Sequence, residues 1–273
     1  MDDRQGEPGA AREFPVTGVD GCAGGWIAVT VSFDGRSGTA PSSARADSPA
    51  GEHPAGPRRV AASASGAGLA GPLTVHVAVA ATLDGLSLAC VTGIDMPLGL
   101  LGVGWRDADR LARRALGRRG ATVFAIPPRP VWECGTYAEA NRTCRDLTGK
   151  GLSVQAWGLR RKITEADEYR RRAPSSLPPV HLYEVHPELS FTALAGAPLN
   201  DSKHTKAGLA IRRELLARAG ITLPRKVAGA AEDDLLDAAA VALSARRIAA
   251  GQAVILTSPA QRADDGTEIA IRY

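Results

Sequence analysis

Six acidic side chains in the 273-residue sequence interrupt or border apolar runs. Asp20 closes Val16-Thr-Gly-Val-Asp20, Asp95 closes Cys90-Val-Thr-Gly-Ile-Asp95, and Glu184 lies inside Val180-His-Leu-Tyr-Glu184-Val185. Asp233, Asp234 and Asp237 open an Ala-rich segment. If the first three segments are strands lying side by side, their carboxylates project near one edge of a sheet. On a helix, Asp234 and Asp237 are three apart and Asp233 and Asp237 four apart, so either pair shares a face. Ala238 to Ala240 are small enough to let that helix approach the sheet. Grouped carboxylates raise one another's pKa and resist joint ionisation. Divalent cations remove the conflict. Mg²⁺ and Mn²⁺ prefer oxygen ligands, and two such ions about 4 Å apart activate water on one side of a phosphodiester and stabilise the leaving oxygen on the other.

Most of these residues also have an ordinary structural use. Asp20 precedes a glycine and could form a turn. Asp233 and Asp234 could cap a helix or complement its dipole, and Glu184 could pair with an arginine. Asp237, a turn further in, and Asp95, before Met96-Pro97, are harder to dismiss. His186-Pro187-Glu188 adds a side chain able to ligate, contact phosphate or shuttle a proton, or simply a helix start at Pro187. Lys162 and Glu165, three apart, either face the site or form a solvated helical face. The Gly21 to Gly25 turn is not a dinucleotide-binding fingerprint.

The elements that must position these groups are read from periodicity. Val16 to Val19 and Ile27 to Phe33 flank the Gly-rich turn as a hairpin, Leu73 to Thr82 gives a third strand, and Cys90 to Asp95 a fourth. Leu83 to Ala89 fits a short helix. Helices are expected near 105–116, 136–147 and 157–171, forming a basic helical insertion over 101–179 after the fourth strand. A strand at 180–185, helices at 187–194, 205–219 and 232–250, a weak strand at 253–256 and the tail 268–273 complete the order. Residues 1–15 read as a disordered N-terminus, and 34–72 as a flexible low-complexity insertion. Early antiparallel strands followed by alternating elements argue for a single α/β domain over 16–273, a mixed sheet flanked by helices.

Composition narrows the partners. The formal charge is +4, and between Arg106 and Arg172 sixteen Lys/Arg stand against eight Asp/Glu, which permits a local basic surface for a polyanion. Cys22, Cys90, Cys134 and Cys144 lack metal-site spacing and read as free thiols in a reducing compartment. The N-terminus has no apolar signal core and no run approaches the ~20 apolar residues of a membrane span. A cytoplasmic protein without a membrane partner is therefore expected.

Several motifs together resemble a family of uncharacterised bacterial and archaeal proteins regarded as predicted RNase H-like nucleases. They are GVDGCAGGW (18–26), GIDMPLGL (93–100), the Arg-rich run 106–117, Ser153-Val-Gln155, KITEAD (162–167), YEVHPELSF (183–191), Ser202-Lys203 and DDLLDA (233–238). The resemblance spans most of the chain from Gly18 onwards; the long 34–72 segment departs from shorter members. It implies a ribonuclease H-like fold, with a five-stranded mixed sheet and metal held by acidic residues on the first strand, the fourth strand and a C-terminal helix. These map to Asp20, Asp95 and Asp237, with Glu184 and Asp234 or Asp233 as additional catalytic candidates. The Asp-x-x-Asp-Ala pattern is similar to that of Holliday-junction resolvases, which act as dimers, so a homodimer is a further possibility.

The expectation is then a nuclease using Mg²⁺ or Mn²⁺, two ions in all, with metal-activated water as nucleophile. Arg110, Arg113, Arg118, Arg129, Lys162, His186 and Lys203 are the candidate substrate contacts, and the partner is a nucleic acid, DNA or RNA. Two other readings stay open: nucleotide-dependent phosphoryl transfer of the actin-like type, and nucleic-acid binding without turnover.

Overall fold

Along the first strand, β1 (Val16–Cys22), apolar residues alternate between two separate cores. Val16 and Cys22 pack with the C-terminal helices, whereas Val19 packs with the helical insertion. Burial on both faces explains why the segment reads as an almost continuous apolar run. The computed structural model of the chain describes residues 15–32, 73–175 and 178–273. The expectations for 1–15 and 34–72 lie, Pro15 apart, outside the described residues.

A tight turn returns β1 into the antiparallel β2 (Gly25–Ser32), and β3 (Thr74–Ala80) pairs antiparallel with β2. The fourth strand β4 (Val91–Ile94) lies parallel to β1, and β5 (His181–Glu184) parallel to β4. Among the described residues these form a five-stranded mixed sheet in the order β3-β2-β1-β4-β5. Helices cover it, which is the α/β arrangement expected of a ribonuclease H-like fold. The stretch after β3 holds only one 3-10 turn, Leu83–Gly85, where a short helix was expected. Gly85 and the extended Leu86 end it early.

Between β4 and β5 run α1 (Asp107–Leu116), α2 (Arg129–Glu133), α3 (Tyr137–Thr148), α4 (Val154–Gly158) and α5 (Arg160–Arg172). Thr136 and Ser153 cap α3 and α4 by accepting backbone N–H bonds from Glu139 and Ala156. Trp132, Ala140, Cys144, Ile163 and Ala166 from these helices bury one face of the sheet. The opposite face is covered by α6 (Pro187–Ala195), α7 (Lys206–Arg218) and α8 (Glu232–Ala249). The C-terminus is longer than the weak strand expected: β6 (Ile255–Arg262) and β7 (Glu268–Arg272) form a separate antiparallel hairpin against α1, tied to the main sheet by a Val185–Arg272 bridge. Among the described residues no helix is long and apolar enough to cross a membrane.

The contact that sets the site is between α8 and the sheet. Gly18 and Gly93 are neighbours in the parallel β1–β4 ladder. A Cβ at Gly18 would stand 2.1 Å from the Ala238 carbonyl oxygen and 2.2 Å from the Ala242 nitrogen, and one at Gly93 would stand 2.8 Å from Val241 Cγ1. The two glycines thus leave a groove in the sheet surface, and the Ala238–Ala242 stretch of α8 settles backbone-deep into it. Every residue from Leu235 to Ala242 is buried.

Candidate metal centre

Asp20 is two residues beyond Gly18, Asp95 two beyond Gly93, and Asp237 one before Ala238. The close helix–sheet approach therefore fixes where all three carboxylates end. One carboxylate oxygen from each lies within 4.8 Å of the other two. Asp20 and Asp237 are buried, and Asp95 is open in part to solvent. The groups line a cleft of about 440 Å³. β1 runs two residues past Asp20 before it turns, so Asp20 is a strand residue paired with Ile27. Its Oδ1 accepts from the Gly21 backbone N–H.

Burial and mutual repulsion hold these carboxyls far from their ordinary state. Burial, then Asp95 and Asp237, push Asp20 well above the usual range. Burial and Asp237 push Asp95 up to about 8. Asp237 is raised to about 6 by burial, with Lys203 pulling the other way. Without a divalent cation the cluster is held part-protonated at neutral pH.

Lys203 supplies a cation from within the protein. Its Nζ donates to Asp237 Oδ2 at 2.6 Å and lies 4.0 Å from Asp233. The carboxylates around it raise its own pKa despite its burial. The loop bearing Lys203 is anchored by Arg212, fully buried in α7, which donates to the Asp201 carbonyl and pairs with Glu188 of α6 at 2.7 Å. Thr205 caps α7, and Gly208 allows the close approach, since a Cβ there would lie 2.0 Å from the Ser202 carbonyl oxygen.

Glu184 ends β5 and does pair with an arginine of the insertion. Arg106 bonds it and lies 3.3 Å from Asp109, all three buried. Its other oxygen accepts from the Leu98 N–H at 2.7 Å, fixing the turn that follows Asp95. Burial raises Glu184 to about 7 against the pull of Arg106. Asp234 accepts from the Ala231 N–H at 3.0 Å, bonding back to the residue before α8. It is still near enough to contribute to the raised pKa of Asp20.

Asp20, Asp95, Glu184, Lys162, His186 and Lys203 all line the cleft. The Lys162 ammonium bonds the Gly25 carbonyl and lies 4.6 Å from the centre of the Trp26 ring. Glu165 does not reach the site: it accepts from Trp26 Nε1 and the Leu83 N–H, bracing the insertion against β2. Burial lowers His186 to about 4, so it is neutral, and its Nδ1 has no partner among the described residues.

Arg110, Arg113, Arg118 and Arg129 lie away from the cleft lining. Arg110 pairs with Asp107, and Arg113 donates to the Val123 carbonyl. Arg110, Arg113 and Arg118 are exposed, on α1 or just after it. Arg129 bonds Asp167 and Asp264, and Arg170 joins Asp167 to Asp265, so these groups clasp the insertion to the β6–β7 turn. Arg119, which sequence reasoning passed over, does line the cleft, 3.3 Å from Glu188.

A family model described as "Protein of unknown function (DUF429)" matches residues 18–262. The chain belongs to the DUF429 family. No curated protein and no solved structure matches it. The match to the DUF429 model begins at Gly18 and takes in Asp20, Asp95, Lys203 and Asp237, the whole of the carboxylate cluster and its internal cation.

Proposed function

We propose that this DUF429 chain is a Mg²⁺- or Mn²⁺-dependent nuclease that hydrolyses phosphodiester bonds in nucleic acid. The observation carrying the reading is the convergence of Asp20, Asp95 and Asp237, from two strands and a helix, with oxygens within 4.8 Å of one another. Three hard oxygen donors suit a hard dication, and the burial and neighbouring carboxylates that raise Asp20 and Asp95 are a conflict that a dication would relieve. A divalent ion held by them would supply activated water and charge to stabilise the leaving oxygen.

The chain's own residues account for the rest of the site. Glu184, locked by Arg106 and the Leu98 N–H, orients the turn that carries Asp95. Lys162, Lys203 and Arg119 place cations on the cleft walls, where a phosphodiester would lie. Arg110, Arg113 and Arg118 are exposed outside the cleft lining, where they would meet the phosphates of a longer nucleic acid. His186, neutral at pH 7, offers a lone pair rather than a charge.

The test is incubation with labelled single-stranded, duplex, hybrid and branched DNA and RNA, in Mg²⁺, Mn²⁺ or EDTA, beside Asp20→Asn and Asp237→Asn. Cutting that needs metal and disappears in both variants is expected. No cutting on any substrate by the folded protein contradicts the proposal.

A further inference from the structure

Lys203 stands against the carboxylate cluster, bonded to Asp237. Its Nζ lies 2.6 Å from Asp237 Oδ2, as close as a hydrogen bond allows, and it interacts with Asp95 and Asp20 as well. The other acidic groups of the cleft pair with arginines: Glu184 and Asp109 share Arg106, and Glu188 has Arg212 and Arg119. Asp233, at 4.0 Å, is a second hold on the Lys203 ammonium from the rim. The charge left at the centre is that of three carboxylates and one ammonium.

We propose that Lys203 occupies the place of a second cation, so that the free protein takes up one divalent ion and admits another only when an anionic substrate arrives and Lys203 is drawn off Asp237. Once a first dication has displaced the protons, three ionised carboxylates and one ammonium carry about −2, which that ion neutralises; a second would leave about +2 among largely buried groups, where unpaired charge is strongly disfavoured. A phosphodiester arriving with the second ion lowers that excess and offers Lys203 an alternative partner. Lys203 acts through the carboxylates and not on the reacting atoms, which makes it a positioning residue. The inference rests on the proposed metal-binding reading.

The experiment is Mn²⁺ titration of the substrate-free full chain by calorimetry and by the loss of the free-ion electron-spin-resonance signal. It is run at pH 8.5, above the value of about 8 to which Asp95 is raised, so that proton competition at the carboxylates is reduced. Wild type and Lys203→Met are compared, with Lys203→Arg as the variant that keeps the cation. Lys203→Gln serves as a second neutral variant should Lys203→Met fail to fold, as judged by circular dichroism. The expected result is about one ion per chain in wild type and Lys203→Arg, and about two in the neutral variant. Two ions in wild type, or one in both wild type and the neutral variant, overturns the proposal while leaving a metal centre standing. No ion in any of them overturns the proposal together with the metal reading.

Discussion

Gly18 and Gly93 are paired across the β1–β4 ladder, and together they admit the backbone of α8 to the sheet. Gly18→Ala would place a methyl group 2.1 Å from a backbone oxygen that cannot rotate away. Helix and strand would have to separate, at a cost of about 3 kcal/mol or more. Denaturant unfolding should show that loss, and Mn²⁺ should stabilise the variant far less than wild type. A loss under about 1 kcal/mol would mean that α8 does not sit as described.

Asp95→Asn should stabilise the metal-free protein. Burial, and then repulsion from Asp237, lift Asp95 to about 8, so at pH 8.5, where much of it is ionised, deleting its charge should raise the melting temperature in EDTA. The same variant should lose most of the stabilisation given by Mn²⁺. A residue placed for packing alone would show neither effect.

Stability of the metal-free protein should fall as pH rises between about 6.5 and 8. Asp95 is raised from 3.8 to about 8, and Glu184 from 4.5 to about 7. In that window the folded chain holds protons the unfolded chain has released, so the stabilisation present at lower pH is lost as pH rises through the folded pKa. His186 works in the opposite direction, its pKa being lowered from 6.5 to about 4, but its contribution is nearly complete by pH 6.5. The slope should be on the order of 1 kcal/mol per pH unit, read from thermal or urea melts in EDTA. Saturating Mn²⁺ should flatten it. A rise in stability across this window would contradict the carboxylate assignment.

Arg106→Leu should destabilise by roughly 3–5 kcal/mol, because it leaves Glu184 and Asp109 buried without their cation. The loss should shrink in Arg106→Leu/Glu184→Gln, since one of the stranded charges is gone. Urea melts of the single and double variants make the comparison.

The parts of this molecule legible in the sequence are those with local signatures. Strand periodicity and the acidic residues at strand ends put Asp20, Asp95 and Glu184 near one sheet edge, and the Ala-rich run after Asp237 marked the helix that could come close. Less legible were pairings between residues distant in the chain. Arg129 looked like a phosphate contact because it lies in a basic stretch, yet Asp167 and Asp264 hold its guanidinium. Arg212 carries no local mark of being buried, and only the fold brings it to Glu188 and the Asp201 carbonyl. Glu165 lies on a helix whose charged character suggested solvent, but Trp26 and the Leu83 N–H bind its carboxylate. Lys203 stood out only through the motif Ser202-Lys203; its bond to Asp237 spans 34 residues.

The central claim is that Asp20, Asp95 and Asp237 form a divalent-metal centre, and the most direct measurement is anomalous diffraction from a crystal of the protein equilibrated with Mn²⁺. The account predicts a Mn²⁺ peak among the three carboxylates, within bonding distance of an oxygen from each, and its loss in Asp237→Asn. A crystal saturated with Mn²⁺ that shows no peak there, with the three aspartates in place, would contradict it.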